Sequence, residues 1–202
     1  MPQLDYRGEL GRKALHLLAL VLPLAVHLLG SKALFGLVPL AAGALFLDVA
    51  RVRLAWVNTT IDRVFGWMMR PSERPPMGSP VVINGATWVL ISMALLTAVF
   101  PPDIAVVAFV TFMLGDAAAA LAGRRFGRTR WGREGCTVEG SAAFLIAAGA
   151  AAALLPYAYP YWMLASLVIA SMLIEGAPLR LNDNLVAPFA GAVVLYALSA
   201  PM

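Results

Sequence analysis

Seven long apolar stretches place the strongest constraint on how this 202-residue chain folds. They lie at about 14–30, 33–50, 86–100, 104–122, 141–155, 161–174 and 185–200. Of all residues, 61% are hydrophobic and 13% are charged, which is about half the charged share of an average soluble domain. The pattern predicts an all-α, polytopic membrane bundle of about seven transmembrane helices, forming a single integral domain over residues 1–202.

The basic residues divide unequally between the two sets of connections. If the N-terminus is cytoplasmic, 14 of the 15 basic residues fall on the inner side and Lys32 alone falls outside. The inner set is Arg7, Arg12, Lys13, Arg51, Arg53, Arg63, Arg70, Arg74, Arg124, Arg125, Arg128, Arg130, Arg133 and Arg180. The positive-inside rule then predicts an N-in, C-out orientation. Ten of the 11 acids also lie at or near the inner face, with Asp103 as the exception.

The inner connection from about 51 to 85 has two parts. Leu54, Val57, Ile61, Val64, Phe65 and Met68 recur at helical spacing, with Asn58, Asp62, Arg63 and Arg70 on the other side. This predicts an amphipathic helix that lies in the membrane interface. The segment Pro71 to Pro80 contains four prolines and one glycine, which predicts an irregular strap.

Asp116 is an acid inside an apolar run, about 12 Å along a helix before Arg124. Acids within membrane helices are rare and mark functional positions. A buried ion pair with an arginine is the alternative explanation. Gly115, beside it, is suited to close contact between helices, and can also let a ligand approach the backbone.

An arginine-rich cytoplasmic loop follows at about 123–137. Arg124 and Arg125 come directly after Gly123 at the predicted end of the helix, and guanidinium groups suit phosphate oxygens. For Arg128, Arg130 and Arg133, anchoring to anionic lipid headgroups is an equally good explanation. Thr137 and Glu139 then begin the next apolar stretch, where helix capping would account for both.

Three further clusters belong to the same predicted face. Arg12 and Lys13 share one side of the first helix with His16, by i, i+3 and i, i+4 spacing. Asp48 and Arg51 are one helical turn apart, as in a local ion pair. Glu175, Asp183 and Asn184 bring acids and an amide to the level of Asp116. His27, near the outer end, is best explained as an interfacial polar residue.

Carboxylates beside guanidinium groups suit a Mg²⁺-polyphosphate, because Mg²⁺ takes one or two carboxylates together with phosphate oxygens. The chain has no Gly-x-x-x-x-Gly-Lys-Ser/Thr loop and no protein-kinase signature, so a nucleotide site must be of another kind. Because the charges lie over an apolar bundle, we expect the substrate to be amphiphilic.

Six motifs in series resemble those of the CTP-dependent polyprenol kinases, the family that includes dolichol and phytol kinases. They are Arg12-Lys13-x-x-His16, Asp48-x-x-Arg51, Gly85-Ala86-Thr87, Gly115-Asp116-(x)6-Gly123-Arg124-Arg125-Phe126-Gly127, Thr137-Val138-Glu139-Gly140, and Glu175 with Asp183-Asn184-(x)3-Pro188. The central motifs are also similar to those of the phosphatidate cytidylyltransferases. The Lys-Asp…His-Gly-Gly ending of that second family is missing, which favours the kinase branch.

The resemblance implies transfer of the γ-phosphoryl group of CTP, or of another nucleoside triphosphate, to a long isoprenoid alcohol such as polyprenol, phytol or geranylgeraniol. Asp116, Asp183 and Glu139 would hold Mg²⁺, and His16 or Glu175 would orient the hydroxyl. The nucleotide site would draw on Lys13, Arg12, Arg124, Arg125, Thr137, Glu139, Gly115, Gly123 and Asn184. The expected partners are the lipid alcohol, the triphosphate and membrane lipids, with no nucleic acid, in a bacterial or archaeal cytoplasmic membrane.

Cys136 is the one departure, since both families carry lysine before the Thr-x-Glu-Gly motif. Arg130 or Arg133 would then supply the missing charge, or the nucleotide preference would change, or the protein would be inactive.

Two other functions stay open. A cytidylyltransferase would make a CDP-lipid from a lipid phosphate. A transporter would use intramembrane acids as an ion path, but would place them near the midplane rather than at one face.

Overall fold

The structure is a computed structural model that describes residues 6–133, 135–179 and 181–200. It confirms the all-α class. The helices of the described residues are α1 (Tyr6–Leu18), α2 (Val21–Leu29), α3 (Leu34–Arg51), α4 (Ala55–Phe65), α5 (Gly85–Val99), α6 (Pro102–Phe126), α7 (Val138–Leu154), α8 (Tyr161–Gly176) and α9 (Asp183–Ser199). Extended pairing in these ranges is limited to one isolated bridge between Arg130 and Thr137. Arg180, counted above among the inner basic residues, lies outside the described residues.

Two helical stretches in the described ranges are long and apolar enough to cross a membrane, Arg7–Arg51 and Pro102–Phe126. Four shorter apolar helices, α5, α7, α8 and α9, have 15 to 17 residues. They rise about 22–26 Å, less than the roughly 30 Å of a hydrocarbon core. By length and composition the structure thus supports membrane association, and the count of about seven spans stays a prediction.

The first predicted span, 14–30, is interrupted, because α1 ends at Leu18 and α2 begins at Val21. Pro23 accounts for the break, since it has no N–H to bond the carbonyl of Ala19 four residues earlier. The amide of Leu22 donates to Ala19 O instead, at 3.0 Å. α2 then ends at Gly30, which has a φ of +59°, in the turn that leads into α3.

Helix α6 is the centre of the bundle and contacts α1, α2, α5, α7, α8 and α9. Its first half is apolar all round and buried, including Phe109, Phe112 and Met113, as expected for a helix without a solvent face. Phe144 of α7, Leu167 of α8 and Leu195 of α9 complete the core around it. The second half of α6, from Gly115 onward, therefore continues from a half that is packed on all sides.

Helix α4 turns part of its predicted apolar side toward the bundle, with Val57 buried, and also turns two of its polar residues inward. Asn58 and Asp62, assigned above to the polar outer side, turn inward to the buried side chain of Arg51, while Trp56 and Val64 are exposed. A buried guanidinium group needs acceptors, and Asn58 and Asp62 supply them. In the strap that follows, the structure has one 3-10 turn, Pro71–Glu73.

The opposite end of the bundle is held by two tyrosines of the α7–α8 connection. Tyr159 donates to Asp103 of α6 at 2.5 Å, and Tyr157 Oη lies 2.6 Å from His27 Nδ1 of α2. Burial, together with the Asp103 carboxylate, raises the pKa of both tyrosines. His27, predicted as an interfacial polar residue, thus ties α2 to this connection.

Candidate active site

Asp116 lies in the second half of α6, where small residues bring α7 close. A Cβ at Gly115 would meet the Phe144 ring at 2.8 Å, and one at Gly123 would meet Thr137 Oγ1 at 2.9 Å. Close contact between helices therefore explains both glycines, which the sequence analysis also placed in the nucleotide site. The tight packing leaves Asp116 buried, at 7% exposure.

Helix α1 supplies the partners of Asp116. Lys13 Nζ lies 2.5 Å from Asp116 Oδ2, and His16 Nδ1 lies 3.3 Å from the same oxygen. All three side chains are almost completely buried. The i, i+3 spacing of Lys13 and His16 directs both toward α6. The partner of Asp116 is thus a lysine of α1 rather than the arginine considered above.

A second charged group adjoins the first and is centred on Arg133. Its Nη2 lies 2.7 Å from Asp183 Oδ2, at the start of α9, and 3.4 Å from Glu175 Oε1, near the end of α8. Partial burial opposes the charge of Arg133, but Asp183 outweighs it and raises the pKa of the guanidinium. The two groups are neighbours because α8, which carries Glu175, packs against α6, which carries Asp116. The structure therefore brings Lys13, His16, Asp116, Glu175, Arg133 and Asp183 into one charged cluster.

Arg133 is positioned by the segment 129–138, here called the clasp. Its two ends pair through Val138 N and Thr129 O, at 2.9 Å. Trp131 packs on Gly176 and donates from Nε1 to Ser141 Oγ at 2.9 Å. Gly132 has a φ of +60°, and the amide of Arg133 donates to Gly176 O at 2.7 Å. The clasp thus fastens Arg133 to the end of α8, a contact that was not predicted.

The Cys136 thiol and the Arg133 guanidinium lie beside the same carboxylate, that of Glu175. The Cys136 Sγ lies 3.7 Å from Glu175 Oε1. Burial raises the pKa of the Cys136 thiol, and the nearby Glu175 carboxylate raises it further, so the group is neutral at physiological pH. Arg133, and not the exposed Arg130, therefore carries the positive charge at this position.

The predicted metal ligands are not assembled as a ready set. Thr137 caps α7 by accepting from the amide of Gly140 at 3.1 Å, and Glu139 accepts from the amide of Thr129 at 3.3 Å. The Thr137 contact confirms the capping explanation, whereas the Glu139 contact ties the start of α7 to the preceding loop. In the described part of the chain, no group of three or more His, Cys, Asp or Glu side chains is arranged to hold a metal ion. Asp116 and Asp183 each face a cation instead.

The remaining predicted residues surround the cluster without joining it. Arg12 pairs with Glu73 at 3.1 Å, and Arg124 pairs with Glu9 at 2.9 Å. Arg125 is exposed, with its guanidinium carbon 5.6 Å from the centre of the Phe126 ring. Asn184 is buried, and its side-chain amide donates to Gly85 O at 3.4 Å.

Asp48 and Arg51 do not form the predicted local ion pair. Asp48 accepts from the backbone and side chain of Asn84, at 3.1 and 2.5 Å. Arg51 pairs with Asp62 at 3.1 Å and donates to Glu73 O at 3.0 Å. The partners Asp62 and Glu73 were not predicted. Asp62 was assigned to the solvent side of the amphipathic helix, and Glu73 lies in a proline-rich strap, which has no periodicity to show which side chains turn inward.

Comparison with known proteins leaves the family of this chain open. No family model matches it, and no solved structure matches it. It is similar to the uncharacterized protein RP860 of Rickettsia prowazekii (strain Madrid E), with 24% identity over 191 residues that cover 91% of each chain. The similarity therefore extends over most of both chains.

The Lys13–Asp116 pair yields a stability prediction. Replacing Lys13→Met leaves a buried carboxylate without its cation, and we expect the free energy of unfolding to fall by about 3–5 kcal/mol. Adding Asp116→Asn removes the orphaned charge and should restore at least half of the loss. Unfolding in detergent measures both, and Lys32→Met, at the exposed second lysine, is the matched control. A double variant no more stable than Lys13→Met would contradict the pairing.

Proposed function

We propose that this protein is a membrane-embedded lipid kinase that transfers the γ-phosphoryl group of CTP, or of another nucleoside triphosphate, to a long-chain isoprenoid alcohol. The observation that carries the proposal is the charged cluster at one end of an apolar bundle. Three carboxylates and two cations meet there, from α1, α6, α8, α9 and the clasp. Carboxylates with guanidinium and ammonium groups are the set that a metal-bound triphosphate requires.

Carboxylates of the charged cluster have the chemistry that Mg²⁺ prefers, although they are now paired with cations. Asp116 and Asp183 would hold it, since Mg²⁺ is usually bound by one or two carboxylates and completes its shell with phosphate oxygens and water. Bound Mg²⁺ would neutralise charge on the transferring phosphate. Glu139 is already engaged by the amide of Thr129, so the proposal does not depend on it.

The cations of the cluster have a direct role in binding phosphate. Lys13 and Arg133 now neutralise Asp116 and Asp183. On binding of the triphosphate they would exchange these carboxylates for phosphate oxygens, to which a guanidinium can donate two parallel hydrogen bonds. The exchange keeps every buried charge paired before and after binding.

The chemical step needs little beyond this positioning. The alcohol oxygen attacks the γ-phosphorus, the bond from that phosphorus to the β–γ bridging oxygen breaks, and the nucleoside diphosphate leaves. The hydroxyl proton passes to His16, whose Nδ1 lies 3.3 Å from Asp116 Oδ2, or to Glu175. Because the transition state of such transfers is loose, charge neutralisation contributes more than a strong base.

The proposal includes the full topology of seven spans with a cytoplasmic N-terminus. Large apolar side chains exposed around the bundle support its contact with lipid, among them Phe35, Ile146 and Leu154. Apolar exposure on this scale is expected where a surface contacts lipid. The charged cluster and the clasp would then face the cytoplasm, where CTP is available.

Cysteine labelling in intact bacterial cells tests this topology. In a Cys136→Ser background, we expect a membrane-impermeant maleimide to label Ser31→Cys and Ser199→Cys, at the outer ends of α3 and α9. It should label Ser72→Cys, in the strap, only after the cells are opened. All three positions are exposed, so access to the reagent is comparable. Labelling of Ser72→Cys in intact cells would contradict the orientation.

An activity assay tests the reaction itself. Purified protein with Mg²⁺, γ-labelled CTP or ATP and a panel of prenols should give a labelled prenyl phosphate and a nucleoside diphosphate. Asp116→Asn should lower turnover by about 10³-fold or more while helicity in detergent is retained, because a metal ligand is lost. Release of pyrophosphate with a lipid phosphate as acceptor would instead identify a cytidylyltransferase, and unchanged activity of Asp116→Asn would remove its metal role.

Arg133 provides a more specific test of the phosphate site. Arg133→Ala should weaken triphosphate binding by about 10- to 100-fold, the cost of losing charge-assisted hydrogen bonds. Because Cys136 reaches the same carboxylate as Arg133, Cys136→Lys should restore most of this affinity in the Arg133→Ala background. Binding is measured by calorimetry with a non-hydrolysable analogue.

The matched control is Arg130→Ala, in the same clasp but exposed. It should change the affinity by less than about twofold, within the range of ordinary surface substitutions. An equal loss in Arg130→Ala and Arg133→Ala, or failure of Cys136→Lys to rescue, would indicate a general effect on the loop instead of a phosphate contact.

A further inference from the structure

A cleft of about 200 Å³ opens beside the charged cluster, between α1, α3, α4 and the start of α5. Its apolar lining is Leu15, Ala44, Leu47, Ile61, Phe65, Met68 and Met69. Its polar lining is Arg12, His16, Asp48, Glu73, Asn84 and Thr87, with Gly85 and Ala86 between them. Along α3 the lining changes from Ala44 to Asp48 within about 6 Å. The cleft is thus amphiphilic, and the proposed reaction gives no role to most of its residues.

Thr87 supplies an unused hydrogen-bonding group. Its side chain is 1% exposed, yet its hydroxyl has no partner among the described residues. Buried hydroxyl groups are normally hydrogen-bonded, and a threonine hydroxyl can both donate and accept. A ligand hydroxyl could therefore either donate to the Thr87 hydroxyl or accept from it.

His16 connects the cleft to the candidate site. It lines the cleft, and its Nδ1 lies 3.3 Å from Asp116 Oδ2. A group bound beside Thr87 and His16 would therefore lie next to the carboxylate that we assign to the metal. The cleft and the charged cluster are neighbouring parts of one site.

The ionic groups of the cleft favour an uncharged headgroup. Arg12 is paired with Glu73, and Asp48 accepts two hydrogen bonds from Asn84. The lining therefore holds two carboxylates and one guanidinium that is already neutralised. A lipid phosphate would be repelled by this excess of negative charge, whereas a neutral hydroxyl would not.

We propose that this cleft binds the acceptor alcohol, with its hydroxyl between Thr87 and His16 and its hydrocarbon chain between α3 and α4, against Leu47, Ile61 and Phe65. The assignment rests on the proposed function, and it specifies the ligand as a lipid with one uncharged hydroxyl headgroup. The chain leaves the cleft past α4, whose exposed Trp56 and Val64 suit the membrane interface.

Photolabelling tests the assignment without requiring turnover. Protein in nanodiscs is irradiated with geranylgeraniol that carries a diazirine on its chain, and in parallel with the phosphate ester of the same probe. We expect the alcohol to label residues of α3 and α4, and the ester to label them about tenfold less. Labelling confined to other helices, or equal labelling by the ester, would overturn the proposal.

Two substitutions test the two ends of the bound alcohol. Ala44→Trp fills the apolar part and should raise the KM for the alcohol about tenfold or more, with triphosphate affinity unchanged. Ala42→Trp, exposed on the same helix, is the matched control.

The substitution Thr87→Val tests the hydroxyl end of the cleft. It should lower kcat/KM for the alcohol about tenfold, which corresponds to the free energy of one hydrogen bond. Its melting temperature should not fall, because the hydroxyl has no partner to lose, and Thr87→Ser should retain activity.

The outcomes separate this proposal from the proposed function. If the alcohol labels the cleft while the wild-type protein transfers no phosphate, the kinase function fails and the lipid site stands. If the protein phosphorylates prenols and Ala44→Trp is as active as Ala42→Trp, the kinase function stands and the cleft assignment is wrong.

Discussion

The burial of one carboxylate, Asp116, determines much of the arrangement at the charged end of the bundle. A charge so far from water must be paired, and Lys13 of α1 is the group that pairs it. This requirement draws α1 across α6 and places Arg12 against Glu73 of the strap. The strap in turn accepts from Arg51 at the end of α3. The contact between α1 and α6 thus orders a connection that has little regular structure of its own.

The helices and the importance of Asp116 can be predicted from the sequence, because both depend on local patterns. Long apolar runs predict helices, and an acid inside such a run predicts a partner nearby, as Lys13 and His16 are. Pro23 also indicates the break between α1 and α2, which hydropathy alone does not show. The membrane topology is different, because four of the apolar helices have only 15 to 17 residues, fewer than the roughly 20 that usually cross a hydrocarbon core.

Other parts of the site depend on contacts that have no local signal. Arg133 reaches Asp183 because Gly132 adopts a positive φ and the loop docks on Gly176, and neither event leaves a periodic pattern in the chain. Asp62 of α4 turns inward because it pairs with the buried guanidinium of Arg51, at the end of α3. In each case a long-range pairing of charges overrides the local preference of the segment.

The clasp has a consequence for how the length of this chain can vary. Its ends are joined through Thr129 and Val138, and its tip is bonded to Gly176, so its span is fixed at both sides. Additional residues inserted between these anchors would lift the Arg133 guanidinium away from Glu175 and Asp183. Insertions at Arg128, which is exposed and precedes the first anchor, would leave the spacing intact. Length differences among related proteins should therefore accumulate before Thr129 and stop there.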